Sequence, residues 1–393
     1  MRRALSFSVV WSLVGLLLVD RPPALAQDGV TKSDFHGQPA LVVSNDKIEL
    51  KVLPLGGAMV SLILKDDAEK NSPLWDSYQA DIETGKPIRQ GGSVGHFVCV
   101  DGFGSPSPEE RTAGLTGHGE AHTLPWVTQE SGKNWDAMRL KMAVQLPRVR
   151  EVFTRTFEIV EGENIVYVHS ALKSLLAFDR PVCWTEHATI GTPFLERGTT
   201  VVDLSQNRAL ARSYDSTRLR GMQRRLESDK EFDWPMAPGL NGEKIDLLAA
   251  PSEGESIDLT GHLMTGREYA YATALHPEKS LLFGYVFKPA ESPWLQNWEF
   301  YPAEGQMARG LEFGTQAFGL PRRAVVTANR LFGKLLYRWL PARSTIESTF
   351  LMFWTRVPER FAAVSEIEWS NGQLHIQDAK SGKSIKLKAT RPF

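Results

Sequence analysis

Short segments in which apolar and polar side chains alternate dominate this chain of 393 residues. Successive side chains of a strand point to opposite faces, so a period of two indicates a strand with one buried face. Residues 48–53 alternate in this way, and a Gly56-Gly57 break separates them from a second apolar segment at residues 58–64. Glycine, proline, asparagine and aspartate interrupt most of these segments, as is typical of turns. The pattern predicts an all-β protein in which many antiparallel strands form a large β-sandwich.

Further segments with strand-like composition follow along the chain, at residues 138–146, 152–159, 165–171, 280–287 and 345–354. The loop at residues 160–164 predicts a hairpin between the second and third of these segments. Near the C-terminal end, Asn371-Gly372 predicts a second hairpin with a two-residue turn, between residues 367–369 and 374–376.

Long helical periodicity is scarce, and the best helical candidate is an arginine-rich segment at residues 207–229. The same residues are compatible with a loop that lies over the sheet. A basic segment of this kind is usually a solvated face. Binding of a phosphate or a uronate is the alternative interpretation, although the arginines lack a glycine pattern that cradles anions.

The first 26 residues have the features of a signal peptide. Arg2 and Arg3 precede an apolar segment at residues 9–19, and Ala24-Leu25-Ala26 resembles a cleavage site. No later segment is apolar enough to cross a bilayer. We therefore expect a periplasmic or secreted protein, with no membrane contact after cleavage and residues 27–393 as one β-sandwich domain that ends in the C-terminal hairpin.

The charges nearly cancel, with a formal net charge of −1, so the sequence carries no signature of nucleic-acid binding. Its 11 tryptophans are compatible with core packing and with stacking on sugar rings. Export would permit a disulfide between Cys99 and Cys183, but the sequence leaves their pairing open. It also leaves the oligomeric state open.

Residues 117–126 contain polar side chains at alternate positions, His118, Glu120 and His122. If the segment is a strand, these three side chains line one face, where they either bind a metal or hold the hydroxyl groups of a sugar. The glutamate spacing differs from the known helical zinc motif, and no fourth ligand is evident. The sugar interpretation is therefore favoured, and no metal is expected.

Two later segments contain candidates for proton transfer. His187 follows a strand-like segment, and an imidazole suits proton transfer near neutral pH. Glu312 lies between Leu311 and Phe313, so on a strand its side chain would point away from both. In a partly buried cleft its pKa would rise towards the range of a general base. Each residue taken alone is also compatible with an ordinary structural role.

Three short segments, in this order along the chain, resemble the galactose mutarotase-like superfamily, which includes the aldose 1-epimerases. They are His118-Gly119-Glu120 with Pro125-Trp126, Glu186-His187 with Ile190-Gly191, and Gly310-Leu311-Glu312 with Thr315-Gln316. The second resembles the segment with the family's catalytic histidine, and the third resembles the segment with its catalytic glutamate. The resemblance spans about residues 42–354.

The resemblance implies a β-supersandwich and an enzyme that interconverts the anomers of a sugar without a cofactor. Glu312 would be the base and His187 the acid at the ring oxygen. The hydroxyl groups would be bound by His118 with Glu120 or His122, and Trp298 would be a stacking platform for a small sugar or glycan.

The sequence also departs from the family pattern. Glu186 replaces the usual asparagine and Thr189 replaces an aromatic residue, which predicts a different pocket wall. Two other functions therefore remain open: a carbohydrate-binding protein of the same fold without turnover, and a polysaccharide lyase or hydrolase.

Overall fold

Two large antiparallel sheets form most of the protein. The computed structural model describes residues 30–88, 91–205, 208–212 and 221–393. Within these residues, the first sheet contains 11 strands in the order β1-β2-β3-β4-β5-β11-β21-β20-β17-β13-β14, numbered along the chain. The second contains eight strands in the order β12-β18-β19-β25-β9-β8-β7-β6. The predicted all-β sandwich is confirmed.

The strands of the first sheet are β1 (Val30–Phe35), β2 (Gln38–Ser44), β3 (Ile48–Val52), β4 (Met59–Leu64), β5 (His96–Val100), β11 (Trp184–Gly191), β13 (Arg208–Arg212), β14 (Glu231–Asp233), β17 (Ser256–Leu263), β20 (Trp294–Tyr301) and β21 (Ala308–Gly314). Those of the second sheet are β6 (Val127–Asn134), β7 (Ala137–Leu146), β8 (Glu151–Val160), β9 (Ile165–Ser174), β12 (Val201–Leu204), β18 (Ala270–His276), β19 (Leu281–Phe287) and β25 (Thr345–Arg356).

Shorter elements surround the two sheets. The pairs of short strands are β10 (Arg180–Val182) with β24 (Arg338–Leu340), β15 (Met236–Pro238) with β16 (Lys244–Asp246), and β22 (Arg330–Leu331) with β23 (Lys334–Leu335). A small C-terminal sheet contains β26 (Val364–Ser370), β27 (Gln373–Asp378) and β28 (Ser384–Lys388). The helices are α1 (Ser77–Glu83), α2 (Pro108–Thr112), α3 (Arg322–Ala328) and a 3₁₀ turn at Ala121–Thr123.

Most of the predicted strands are present. β8 and β9 pair as the expected hairpin, and β26 pairs with β27 through Asn371 and Gly372, both with positive φ. The helical prediction for residues 207–229 is wrong at Arg208–Arg212, which forms strand β13 between β14 and β17. Backbone pairing to two neighbours decides the conformation there against local propensity. Residues 213–220 and the predicted signal peptide lie outside the described residues.

The main apolar core lies between the facing surfaces of the two sheets. On β21, Leu311 and Phe313 are fully buried in this core. Phe313 stacks on Phe287 of the second sheet, with 4.3 Å between ring centroids and an interplanar angle of 5°. The side chains that alternation places on the inner faces of the two sheets thus pack against each other and form the core of the sandwich. A second core lies between the C-terminal sheet and the outer face of the eight-stranded sheet.

A polar cluster interrupts the apolar core and joins the two sheets; we call it the cross-sheet cluster. Glu186 of β11 accepts a hydrogen bond from Arg155 Nη2 of β8 at 2.5 Å. His96 Nε2 lies 2.9 Å from the other oxygen of Glu186, and His96 Nδ1 lies 3.0 Å from the hydroxyl of Tyr285 on β19. Because an ionised carboxylate only accepts, His96 Nε2 carries the hydrogen and the Tyr285 hydroxyl donates to Nδ1.

The cluster also contains Trp184 and Ser170, which bond Glu186 and Arg155 respectively. Glu186 is only 2% exposed. Burial alone would raise the pKa of Glu186, but the charge of Arg155 and the His96 hydrogen bond hold it below its ordinary value. Glu186 is therefore ionised inside the core.

Glu186→Gln should lower the free energy of unfolding by about 3–5 kcal/mol, because it leaves the buried guanidinium of Arg155 without its counter-charge. Denaturant unfolding would measure the loss. The matched control is Glu231→Gln, whose side chain is 58% exposed and pairs with Arg208. This control should change stability by less than about 1 kcal/mol. Equal losses in the two variants would contradict the prediction.

No helix within the described residues is both long and apolar enough to cross a membrane. Cys99 and Cys183 are buried free thiols, so the structure contains no disulfide between them.

Candidate active site

β11 places His187 on the outer face of the first sheet. The strand lies between β5 and β21, and all eight of its residues are buried. Trp184, Ala188 and Ile190 belong to the core between the sheets. His187, at an odd-numbered position, therefore points to the opposite face. On the neighbouring strand, Leu311 and Phe313 point to the core, so Glu312 points to the same outer face, as predicted.

The two side chains meet on this face. His187 Nε2 lies 3.1 Å from Glu312 Oε1. The contact is not aligned as a hydrogen bond, so Glu312 Oε1 is a buried acceptor without a hydrogen-bond partner among the described residues. A buried, unsatisfied oxygen costs about 1–3 kcal/mol.

The His187 ring is fixed on two sides. Its Nδ1 lies 3.0 Å from the hydroxyl of Thr189 on the same strand face. It also stacks on Phe97 of β5, with 4.2 Å between ring centroids and an interplanar angle of 19°. Burial, together with the nearby His118 and His122, holds the pKa of His187 well below its ordinary value. The imidazole is therefore neutral at pH 7.

Glu312 has the opposite protonation behaviour. It is 1% exposed, and burial raises its pKa to about 8, although a hydrogen bond from the side-chain amide of Gln296 opposes the shift. Gln296 in turn accepts a hydrogen bond from Gly319 N at 2.8 Å. A Cβ at position 310 would lie 2.6 Å from Glu312 Oε1, so Gly310 leaves the room that the carboxyl occupies. At pH 7 Glu312 is therefore protonated and faces a neutral imidazole.

The loop at residues 101–123 forms one wall of the site. His118 has φ of +63° and its ring centroid is 4.9 Å from that of His187. His118 Nδ1 also lies 3.5 Å from Cys99 Sγ. A Cβ at position 119 would lie 2.1 Å from the carbonyl oxygen of Val100, and φ there is +79°. Gly119 of the His-Gly motif is thus required sterically, because only glycine allows this approach to β5.

The predicted strand at residues 117–126 is wrong. Positive φ at His118 and Gly119, followed by the 3₁₀ turn, removes the alternation that would place three side chains on one face. His122 still reaches the site, with its ring centroid 5.2 Å from that of Phe97. Burial lowers the pKa of His122 to about 4, so it is neutral.

Glu120 does not join the site. Its carboxylate accepts hydrogen bonds from the backbone N–H groups of Arg148, at 3.1 Å, and Val149, at 3.2 Å. These contacts attach the loop to the turn between β7 and β8. The structure therefore places Glu120 as an anchor of the wall and not as a contact for a ligand.

Trp298 lies beside the pair on the outer face. Its backbone partner on β21 is Gly310, two residues from Glu312. Its ring is half-buried and contacts Trp75 at a centroid distance of 5.7 Å and His187 at 6.4 Å. Two aromatic rings next to a proton-transfer pair can stack on the apolar face of a sugar.

Glu186 stands where the resembled family has asparagine, and the sequence predicts that this difference alters the pocket wall. The structure shows a different consequence. Glu186 points into the core and does not contribute to the pocket wall, because it alternates with His187. Thr189, by contrast, lies on the wall and positions His187. Within the described residues there is no group of three side chains arranged to hold a metal ion.

Sequence reasoning missed Phe97, Gln296 and Trp75. Each reaches the site through strand pairing or loop packing with residues far away in the chain, for which the local pattern gives no signal. The hydrogen bond between Gln296 and Glu312 follows from the register of β20 and β21, in which the two residues are direct partners.

Solved structures with the same fold include proteins related to sugar epimerases. A candidate aldose 1-epimerase from Klebsiella pneumoniae subsp. pneumoniae MGH 78578 has a TM-score of 0.60 and 14% identity, over 83% of this chain and 83% of that chain. A candidate mutarotase from Salmonella typhimurium has a TM-score of 0.55 and 11% identity, over 85% and 97%. A galactose mutarotase related enzyme from Lactobacillus acidophilus has a TM-score of 0.53 and 11% identity, over 80% of this chain and 97% of that chain.

At these identities the similarity establishes the fold, which is galactose mutarotase-like. No sequence model of a protein family matches the chain, and no curated protein matches it by sequence.

The protonation of Glu312 predicts how the variant Glu312→Gln responds to pH. The pKa of Glu312 is raised from 4.5 to about 8 in the folded state. Protonated Glu312 therefore contributes fully to folding stability below pH 4.5, and this contribution is lost as pH rises to about 8. Between these pH values the free energy of unfolding of wild type falls by about 1.4 kcal/mol per pH unit on account of Glu312. Because glutamine avoids this loss, the stability of the variant relative to wild type should rise by several kcal/mol between pH 5 and pH 8.5.

Denaturant unfolding at the two pH values measures this difference. Glu253→Gln, at an exposed position, is the control and should show the same stability difference from wild type at both pH values. If Glu312→Gln also shows a constant difference, the carboxyl is not held protonated by burial.

Proposed function

We propose that the protein interconverts the anomers of a free sugar by acid–base ring opening, as an aldose 1-epimerase does. The observation that carries the proposal is the buried His187–Glu312 contact, in which two groups of shifted pKa face each other at 3.1 Å on the outer face of the first sheet. Pairs of titratable groups with opposite shifts are typical of acid–base sites. The galactose mutarotase-like fold and the three sequence segments agree with it.

The reaction needs two proton movements and no redox change. A base removes the proton of the anomeric hydroxyl while an acid protonates the ring oxygen, and the bond between the anomeric carbon and the ring oxygen breaks. Rotation of the open-chain carbonyl followed by the reverse proton transfers closes the ring as the other anomer. Positioned proton transfer and a held ring lower the barrier, so the proposed reaction uses only side chains of this chain.

Glu312 acts as the base and His187 as the acid in ring opening. Ring opening starts once the carboxyl proton of Glu312 has moved to His187 Nε2 across their 3.1 Å contact, which leaves Glu312 ionised as the base and His187 charged as the acid. Opening then returns the pair to a protonated Glu312 and a neutral imidazole, the protonation state that burial favours in the resting site. Ring closure consumes that state and restores the other one. The pair therefore works with a single proton that changes position in each half of the reaction.

The walls of the site supply the remaining contacts. His118 and His122 lie among aromatic rings, and the neutral imidazole of His122 offers one donor and one acceptor to sugar hydroxyl groups. Trp298 offers an aromatic face to the ring. The substrate class is a small sugar or the reducing end of a glycan. Export to the periplasm or the medium, proposed from residues 1–26, would place the protein where such sugars arise.

Polarimetry tests the proposal with freshly dissolved α-D-glucose, α-D-galactose, D-xylose and L-arabinose, after subtraction of the spontaneous rate. Wild type should accelerate mutarotation of at least one of them. Glu312→Gln should lower kcat by about 10²-fold or more, because the base is lost at nearly constant volume. The control Glu253→Gln should retain wild-type rates. Full activity in Glu312→Gln would refute the assignment.

The shared proton predicts a bell-shaped dependence of kcat/KM on pH. The rate should fall as pH rises through about 8, because Glu312 then loses the proton that the two side chains exchange. It should fall on the acid side only well below pH 6.5, where His187 gains a second proton. Initial rates between pH 4 and pH 9.5 measure both limbs. An alkaline limb that persists in Glu312→Gln would assign it to another group.

Carbohydrate binding without turnover is the second candidate, and the burial of Glu312 favours it. Only 1% of this residue is exposed, so a sugar must displace neighbouring side chains to reach the carboxyl. A pure binding protein would quench or shift the fluorescence of Trp298 and Trp75 on addition of sugar, while the polarimetric rate stays at the spontaneous value. Trp298→Phe then separates a signal at this site from one elsewhere.

A further inference from the structure

The cross-sheet cluster lies directly behind the proposed acid–base pair. Glu186 precedes His187 on β11, and His96 precedes Phe97 on β5. His187 and Phe97 are direct partners in the register of the two strands, and their rings stack on the outer face. The contact between His96 and Glu186 on the inner face therefore joins the same two strands at the same level.

β5 has little other support on one side. It joins β11 through five residue pairs, whereas on the other side it has one pair with β4, Met59 with His96, and one isolated bridge from Val100 to Gly119. A strand held by one regular neighbour can shift along its axis or away from the sheet more easily than a strand paired on both sides. His96 is both the residue of that single pair and a member of the cluster.

Hydrogen bonds from the second sheet reach β11 and β5 at Glu186 and His96. Arg155 of β8 and Tyr285 of β19 bond Glu186 and His96 respectively, and all four residues are no more than 2% exposed. Apolar side chains of similar volume would fill the same space but would fix neither distance nor direction. A buried ion pair contributes little net stability against such a replacement, so its retention needs another reason.

We infer that the cross-sheet cluster is a positioning device, in which Glu186 and Arg155 set the placement of β11 and β5 so that His187 meets Glu312. This inference rests on the proposed function and adds two positioning residues to it. It also gives a physical role to the glutamate that stands where the resembled family has asparagine.

The test replaces the ion pair by apolar side chains in the double variant Arg155→Met/Glu186→Met. All rates are measured at a temperature where circular dichroism shows the variant fully folded. We expect kcat to fall at least tenfold with KM changed less than threefold, since misplacement of a reacting group acts mainly on the chemical step. A folded variant with kcat within twofold of wild type would overturn the inference.

A matched control separates positioning from general loss of a buried pair. The buried Asp258 of β17 pairs with the half-buried Arg225 at 2.6 Å, away from β5 and β11. Arg225 also pairs with Glu299, which keeps a second partner in Arg309 at 3.3 Å when Arg225 is replaced. The variant Arg225→Met/Asp258→Leu should keep kcat within twofold of wild type under the same conditions. A comparable loss in both double variants would overturn the inference, because any buried pair would then have the same effect.

A second measurement does not depend on catalysis. If wild type shows no mutarotation, the proposed function fails, but the pH-dependent stability effect of Glu312→Gln can still be measured with and without the cluster. In the Arg155→Met/Glu186→Met background we expect this effect between pH 5 and pH 8.5 to shrink by at least half, because a loosened site admits water to Glu312. An unchanged effect would show that the cluster does not position the pair.

Discussion

The structure depends on one strand that is buried on both faces. β11 lies in the middle of the first sheet, so its side chains alternate between the core of the sandwich and the outer face. A strand in this position has no solvent-exposed side on which a polar group could stay hydrated. Each ionisable side chain of β11 consequently has polar side chains beside it. Glu186 contacts Arg155 and His96, and His187 contacts Thr189 and Glu312.

Burial alone does not decide the charge of a carboxyl, as the two glutamates on either side of this sheet show. Both Glu186 and Glu312 are at most 2% exposed. Glu186 has a guanidinium at 2.5 Å and is ionised, whereas Glu312 has only an amide and a neutral imidazole near it and is protonated at pH 7. The decisive quantity is the opposite charge that each pocket supplies against the cost of desolvation. This difference separates a structural acid from one suited to proton transfer.

The sequence predicts much of this arrangement wherever the local pattern is sufficient. Alternation around Leu311 and Phe313 gives the orientation of Glu312, and the Asn371-Gly372 turn gives the pairing of β26 with β27. Prediction fails where the backbone leaves regular structure or where tertiary pairing decides. Positive φ at Gly119 turns Glu120 away from the site, and pairing with β14 and β17 makes a strand of residues that look helical. Gln296 enters the site only through the register between β20 and β21.

Similarity of fold cannot decide between turnover and binding, because the three related structures share only 11–14% identity with the chain. The proposed turnover rests on the site itself, where a buried carboxyl faces a buried imidazole at 3.1 Å. Binding of a sugar alone does not require a carboxyl held protonated beside an imidazole held neutral. Hydroxyl groups of sugars are bound well by amides and ionised carboxylates that keep their ordinary pKa values. The proposed proton transfer, by contrast, requires two groups that face one reacting centre and can exchange one proton through it.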